Sequence, residues 1–215
     1  MPSGHSKAGQ FITVEGLDGV GKTAAIQTIV ETVSDNGIEI VVTREPGGTV
    51  TGERLRDIIL SKESRICPDA EVLIIFAARA QHINELIIPS LQSGKWVLCD
   101  RFTDATYAYQ GGGRNLGFDR IQPIEKWVQH GLKPDLTLLL DARLETAQIR
   151  NRETGEADRI ENEALEFHEA VREAYLQLHR MEADRIRLID AELSKKTVCG
   201  QVKKHIQQFI EKTYA

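Results

Sequence analysis

Apolar and polar positions along the chain follow two periods. Unbroken apolar runs rich in β-branched residues predict strands at residues 11–15, 38–43, 96–100, 136–141 and 186–190. Runs without polar alternation suit a parallel sheet buried on both faces. Between them apolar residues recur three and four apart. That spacing predicts helices near 22–35, 52–60, 69–92, 121–129, 143–152, 163–183 and 196–212. Gly37 and Gly94 fall where helix C-termini take a left-handed residue. Strand–helix alternation of this kind predicts an α/β fold, a doubly wound three-layer α/β/α sandwich around a central, mainly parallel five-stranded sheet. Its crossovers are right-handed, and its ligands collect at the carboxyl ends of the strands.

Composition narrows this further. A chain of 215 residues suits a single domain over 11–215. Residues 1–10 are polar with Gly and Ser, and no apolar segment follows, so they read as a flexible leader and not a signal peptide. A net charge of −5 without a basic run of helix length argues against a nucleic-acid-binding body. The longest apolar run, 72–78, is too short to span a bilayer. The cysteines Cys67, Cys99 and Cys199 have no metal spacing, which fits a reducing cytoplasm.

The first strand runs directly into Gly16-Leu17-Asp18-Gly19-Val20-Gly21-Lys22-Thr23, and a helical pattern follows. This is a complete G-x-x-x-x-G-K-T loop in its strand–loop–helix setting, which predicts a bound nucleoside triphosphate. Its backbone N–H groups cradle phosphate, Lys22 reaches the β- and γ-phosphates, and Thr23 offers a hydroxyl to Mg²⁺. The loop leaves the use of that triphosphate open.

The other strand ends also carry chemistry. The second ends in Thr43-Arg44-Glu45-Pro46-Gly47-Gly48-Thr49 and the third in Asp100-Arg101-Phe102. Taken singly, Arg44 and Arg101 are as consistent with exposed arginines. Together beside a P-loop they predict two cations aimed at one crevice. Transfer of a phosphoryl group to a second phosphate needs such cations, a metal and a cover against water. Residues 150–159 carry Arg150, Arg152 and Arg159 around Gly155 and predict a lid at about 149–160. Charge pattern alone favours a solvated helix connection there. Phe76 and Arg79 share a helix face and could read a base, although spacing alone favours a core Phe with a snorkelling Arg. Tyr109 and Gln110 precede Gly111-Gly112-Gly113 and either project into the crevice or simply end a helix.

Taken in order, these motifs resemble thymidylate kinases, and the likeness runs from Phe11 to the last helix. It is carried by the P-loop; by 43–49; by Phe76-Ala77-Ala78-Arg79-Ala80-Gln81-His82; by Asp100-Arg101-Phe102; by Tyr107 to Arg114; and by Asp158-Arg159-Ile160-Glu161. The resemblance implies phosphoryl transfer from ATP to dTMP, with Mg²⁺, in a homodimer. It implies that Phe76 stacks on thymine, Arg79 donates to O4, and Thr106 and Gln110 complete the base pocket. Tyr109 crowds the ribose 2′ position, and Asp18 accepts from the 3′-OH. Arg44 and Arg101 hold the dTMP phosphate, Pro46 lines the pocket, and Glu45 and Asp100 act on the metal with Thr23. Lys22 and Arg101 count among the catalytic groups. Gly19 stands where one branch of the family carries an Arg. The chain therefore resembles the bacterial type, whose lid supplies the catalytic arginine from Arg150, Arg152 or Arg159. Two departures are Thr154, where relatives often have Arg, and Ala105, where Ser is common. Competing readings are a kinase acting on dUMP or a nucleoside, and a P-loop switch ATPase.

Overall fold

The computed structural model describes residues 9–151 and 158–215. Its elements follow the order β1 (Phe11–Glu15), α1 (Lys22–Asp35), β2 (Ile40–Arg44), α2 (Val50–Leu60), α3 (Pro68–His82), α4 (Ile88–Gln92), β3 (Trp96–Asp100), α5 (Thr103–Thr106), α6 (Phe118–Gln129), β4 (Leu136–Asp141), α7 (Leu144–Asn151), α8 (Leu165–Met181), β5 (Ile186–Asp190) and α9 (Lys195–Tyr214). The five strands lie in the order β2-β3-β1-β4-β5, and each neighbouring pair is parallel. The sheet expected from the apolar runs is present and wholly parallel. β1 is central, with β3 on one side and β4 on the other. The winding reverses there, so a crevice opens at the carboxyl end of β1.

Alternation along the strands sorts the core into two faces. Phe11, Val97 and Cys99 pack with Ile83, Ile87 and Phe102. Ile12, Val14, Trp96 and Leu98 belong to the larger cluster with Ile29 of α1 and Ile206 of α9. β1 is buried at all five positions, which accounts for its unbroken apolar character.

Three departures from the sequence reading have physical causes. β2 begins at Ile40 and not at 38. Ile38 is used in closing α1, its N–H reaching Val33 O at 3.3 Å while Gly37 N–H reaches Ser34 O at 2.9 Å. The single helix expected over 69–92 is interrupted by a π-helical turn, Ile83–Ile87. The whole stretch Pro68–Gln92 is long and apolar enough by composition to cross a membrane. It nevertheless buries Glu71, Arg79 and His82 among partners from other elements, as a core helix of this domain does. Finally, α5 continues into a second π-helical turn, Tyr107–Gly113. The glycines there allow α8 to approach. A Cβ on Gly112 would lie 2.6 Å from Ala174 Cβ, and one on Gly113 would lie 2.5 Å from Phe167 Cε2.

Candidate active site

The P-loop leaves β1 through Gly16, whose φ of 132° and close approach to Leu140 O exclude a side chain. The loop delivers Lys22 to the start of α1, where the helix N-terminus carries no side-chain cap. The Lys22 ammonium lies back across the loop, 2.9 Å from Leu17 O, 3.4 Å from Gly16 O and 3.2 Å from Asp18 Oδ1. Asp18 Oδ1 also accepts from Arg101 NH2 at 2.9 Å. Burial alone would raise the Asp18 carboxyl, but Arg101 and then Lys22 outweigh it and hold the group well below the ordinary carboxylate range.

Arg101 follows β3 in a left-handed conformation, φ 67°, which a non-glycine residue adopts only against strain. Its N–H donates to Val14 O of the central strand, and its NH2 also reaches Gly16 O and Tyr109 OH. The turn is pinned from below by Glu15, which accepts from Phe102 N–H at 2.7 Å and from Tyr175 OH at 2.8 Å. Burial, then the nearby charge of Asp104, pushes the Glu15 carboxyl up to about 8.

Beside Arg101 opens a cleft that also reaches Asp18 of the P-loop. Its lining includes the cations Arg101, Arg56 and Arg79, the acids Asp18 and Glu45, and Ile75, Thr106 and Gln110. Arg79 is 1% exposed and heavily engaged: Nε donates to Glu45 Oε2 at 2.7 Å, and NH2 donates to Phe102 O and Thr106 Oγ1. Its NH1 is buried with no partner. A buried guanidinium N–H without an acceptor is costly unless a ligand supplies one.

A sequence profile of the thymidylate kinase family matches residues 14–202. The chain belongs to the thymidylate kinase family. It is 44% identical to the thymidylate kinase of Chromobacterium violaceum over 98% of this chain and 99% of that protein. It is 49% identical to that of Methylococcus capsulatus, over 86% of this chain and 88% of the relative. It is 50% identical to that of Alkalilimnicola ehrlichii, over 85% of each chain.

With membership in the thymidylate kinase family established, the residues singled out from the sequence can be placed one by one. The cleft brings together Asp18, Pro46, Arg79, Arg101, Thr106, Tyr109 and Gln110. Phe76, expected to stack on the base, does not line the cleft. Its ring is 1% exposed, packs into the main core and lies under Arg79, whose guanidinium carbon is 4.8 Å from the ring centre. Ile75, one turn before Arg79 on α3, stands in the cleft wall instead. Glu45 also lines the cleft, and its oxygens each accept one bond, from Arg79 Nε at 2.7 Å and from His82 Nδ1 at 2.9 Å. The Arg44 side chain, expected at the dTMP phosphate, is 55% exposed, pairs with Glu53 at 2.8 Å and does not line the cleft.

No motif in the sequence singles out Arg56. It enters the cleft from α2, its NH1 donating to Pro46 O at 2.9 Å. Burial first, then the charge of Arg44 and, after an opposing pull from Glu53, the charge of Arg101 lower its pKa; an anion would relieve both burdens. The only signal was its position two turns beyond the Gly-Gly-Thr that opens α2.

For a divalent cation, the fitting groups are Asp100, whose Oδ1 is buried without a partner, and Thr23, exposed in the first turn of α1. Among the described residues no three His, Cys, Asp or Glu side chains form a metal cluster. Mg²⁺ at phosphoryl-transfer sites takes few protein ligands and draws the rest from phosphate and water. Of the three arginines around the expected lid, Arg150 donates to Ala191 O at 2.8 Å, and Arg159 donates to Ile59 O at 2.7 Å and Glu71 Oε2 at 2.6 Å. Arg152 lies outside the described residues.

Proposed function

We propose that this chain transfers the γ-phosphoryl group of ATP to dTMP, giving ADP and dTDP for dTTP synthesis. The observation that carries this reading is the make-up of the cleft. Its lining joins Arg101, bonded to Gly16 O and Asp18 of the P-loop, and Arg56 with Gln110 and with Arg79, whose NH1 is unpartnered. A nucleoside monophosphate suits these groups, with its phosphate at Arg101 and Arg56 and its base at Arg79. An O4 acceptor would satisfy Arg79 NH1, whereas the amino group of cytosine would oppose it.

In this reading Lys22 leaves the loop oxygens and Asp18 to meet the β- and γ-phosphates of ATP. Arg101 and Arg56 hold the acceptor phosphate in line with it, and Asp18 accepts from the sugar 3′-OH. Tyr109, fixed under Arg101, crowds the 2′ position and favours deoxyribose. Ile75, rather than an aromatic ring on α3, forms the wall against the base. Mg²⁺, when bound, neutralises the charge shared by the β- and γ-phosphates, with Thr23 and Asp100 as the groups that hold it. The lid arginine that meets the transferring group remains to be chosen from Arg150, Arg152 and Arg159. The links of Arg150 to Ala191 O and of Arg159 to Glu71 favour Arg152 for that contact.

The test is ADP release with Mg·ATP against a panel of nucleoside monophosphates. dTMP is expected to be the best acceptor, dUMP weaker and the ribose form of TMP poor. A missing methyl is worth about 1–3 kcal/mol, so measurable dUMP use is expected. A panel led by dCMP or AMP, or ADP release that ignores the acceptor, overturns the assignment.

A homodimer in the cytoplasm completes the reading. Support for pairing comes from α3 and α6, where Leu73 is 55% exposed beside an apolar groove that includes Leu116, Ile121 and Ile124. Sedimentation at micromolar concentration is expected to give a dimer for the parent chain and a monomer for Leu73→Glu. A monomeric parent would remove this part of the proposal.

A further inference from the structure

Glu71 lies in the first turn of α3 and is completely buried, yet neither the sequence motifs nor the phosphoryl-transfer chemistry accounts for it. Its oxygens are shared among three side chains. Oε1 accepts from Gln110 Nε2 at 2.8 Å and from Arg114 Nε at 3.2 Å. Oε2 accepts from Arg159 NH2 at 2.6 Å and Arg114 NH2 at 3.3 Å. Burial alone would raise this carboxyl; the hydrogen bonds from Gln110, Arg159 and Arg114 outweigh it and hold the group below the ordinary carboxylate range.

An ionised carboxylate can only accept, so it leaves the Gln110 amide one orientation. Nε2 turns to Glu71, and Oε1 is the acceptor that remains on a side chain lining the cleft. Among the described residues nothing donates to that Oε1. A fixed acceptor therefore stands in the same cleft as the fixed, unpartnered donor Arg79 NH1. Thymine and uracil present an N3–H donor beside an O4 acceptor, which complements this pair. Cytosine presents an acceptor at N3 beside an amino donor, which opposes both.

We propose that Glu71 is a positioning residue for base specificity, locking Gln110 as an acceptor so that the cleft reads 4-oxo and rejects 4-amino pyrimidines. The two arginines on Glu71 keep it ionised and acceptor-only, and through Arg114, which donates to Glu163 at 2.6 Å, they fasten it to the segment after the lid. This rests on the dTMP-kinase reading above.

The experiment measures kcat/KM for dTMP and for dCMP with the full chain and Mg·ATP. The chains compared are the parent, Glu71→Gln, Gln110→Ala and the double variant. A glutamine at 71 can donate or accept, so the Gln110 amide becomes free to turn. Glu71→Gln is expected to lower the dTMP/dCMP ratio by roughly tenfold while KM for ATP stays within about twofold, the size expected for one buried hydrogen bond. Gln110→Ala is expected to lower the ratio similarly, and adding Glu71→Gln to it should change the ratio no further. An unchanged ratio in either folded single variant, or a further equal drop in the double, overturns the proposal. So does a uniform loss with both acceptors at a lower Tm, which marks a purely structural role. Should Glu71→Gln fail to fold, Glu71→Asp replaces it under the same criteria, since it keeps the charge but withdraws from Gln110. Failure of the underlying reading is visible separately, in a parent chain that does not prefer dTMP.

Discussion

Lys22→Ala is expected to lower kcat by about 10³-fold or more, with the fold and dTMP binding largely kept. The ammonium is the P-loop's cation, and charge compensation on the transferring phosphoryl is most of what the protein contributes to such a reaction. Its present contacts are the carbonyls of Gly16 and Leu17 and the carboxylate of Asp18. Asp18 keeps its larger stabilising partner, Arg101, when the lysine is lost. The cleft beyond Asp18 therefore stays formed, and calorimetric binding of dTMP should change by only a few fold. Steady-state kinetics that leave kcat within tenfold of the parent would remove Lys22 from the reaction.

Arg101→Ala is expected to damage both reactant binding and turnover. It should reduce kcat/KM for dTMP by about 10²–10³, as truncation of a buried, hydrogen-bonded charge costs roughly 2–5 kcal/mol. Three acceptors, Gly16 O, Asp18 Oδ1 and Tyr109 OH, converge on its NH2, and the guanidinium lies 5.1 Å from the Tyr109 ring centre. Loss of the side chain frees the tyrosine from its place beneath it. Arg101→Lys should recover little, because a single ammonium cannot reproduce the planar fork. Kinetic constants within twofold of the parent for Arg101→Ala would show that the strand-end arginine serves the loop alone.

The backbone frame was legible because its signals are local. The apolar runs marked all five strands, and Gly16 to Thr23 marked the crevice at the end of β1. What escaped was orientation. Arg44 sits at a strand end, as the reading required, but side chains alternate along a strand. Thr43 turns to His82 at 2.7 Å, so Arg44 turns the other way, to Glu53. Arg56 then enters the cleft from a helix that shows no motif of its own. Phe76 illustrates the same limit. Its spacing from Arg79 favoured the core, and the core took it, because the apolar run 72–78 of α3 leaves the sequence no way to say which side faces the cleft. Glu71 was invisible for another reason. An acid in a first helical turn, here beside Asp69, is ordinary helix chemistry, and only the fold brings Gln110, Arg114 and Arg159 to it.

Asp18 has a consequence for how this enzyme tells a reactant from a bare anion. One carboxylate is the common counter-ion of Lys22 and Arg101, the cations assigned to the donor and acceptor phosphates. Any anion recruiting either cation must compete with Asp18 and leaves that carboxylate less well paired. Inorganic phosphate offers it only a further negative charge. A nucleotide brings a sugar hydroxyl, which returns a hydrogen bond to the displaced oxygen. With the roles proposed above, the site would act as an exchange that favours a molecule carrying both a phosphate and a donor at the right distance from it, a filter imposed before any base is read.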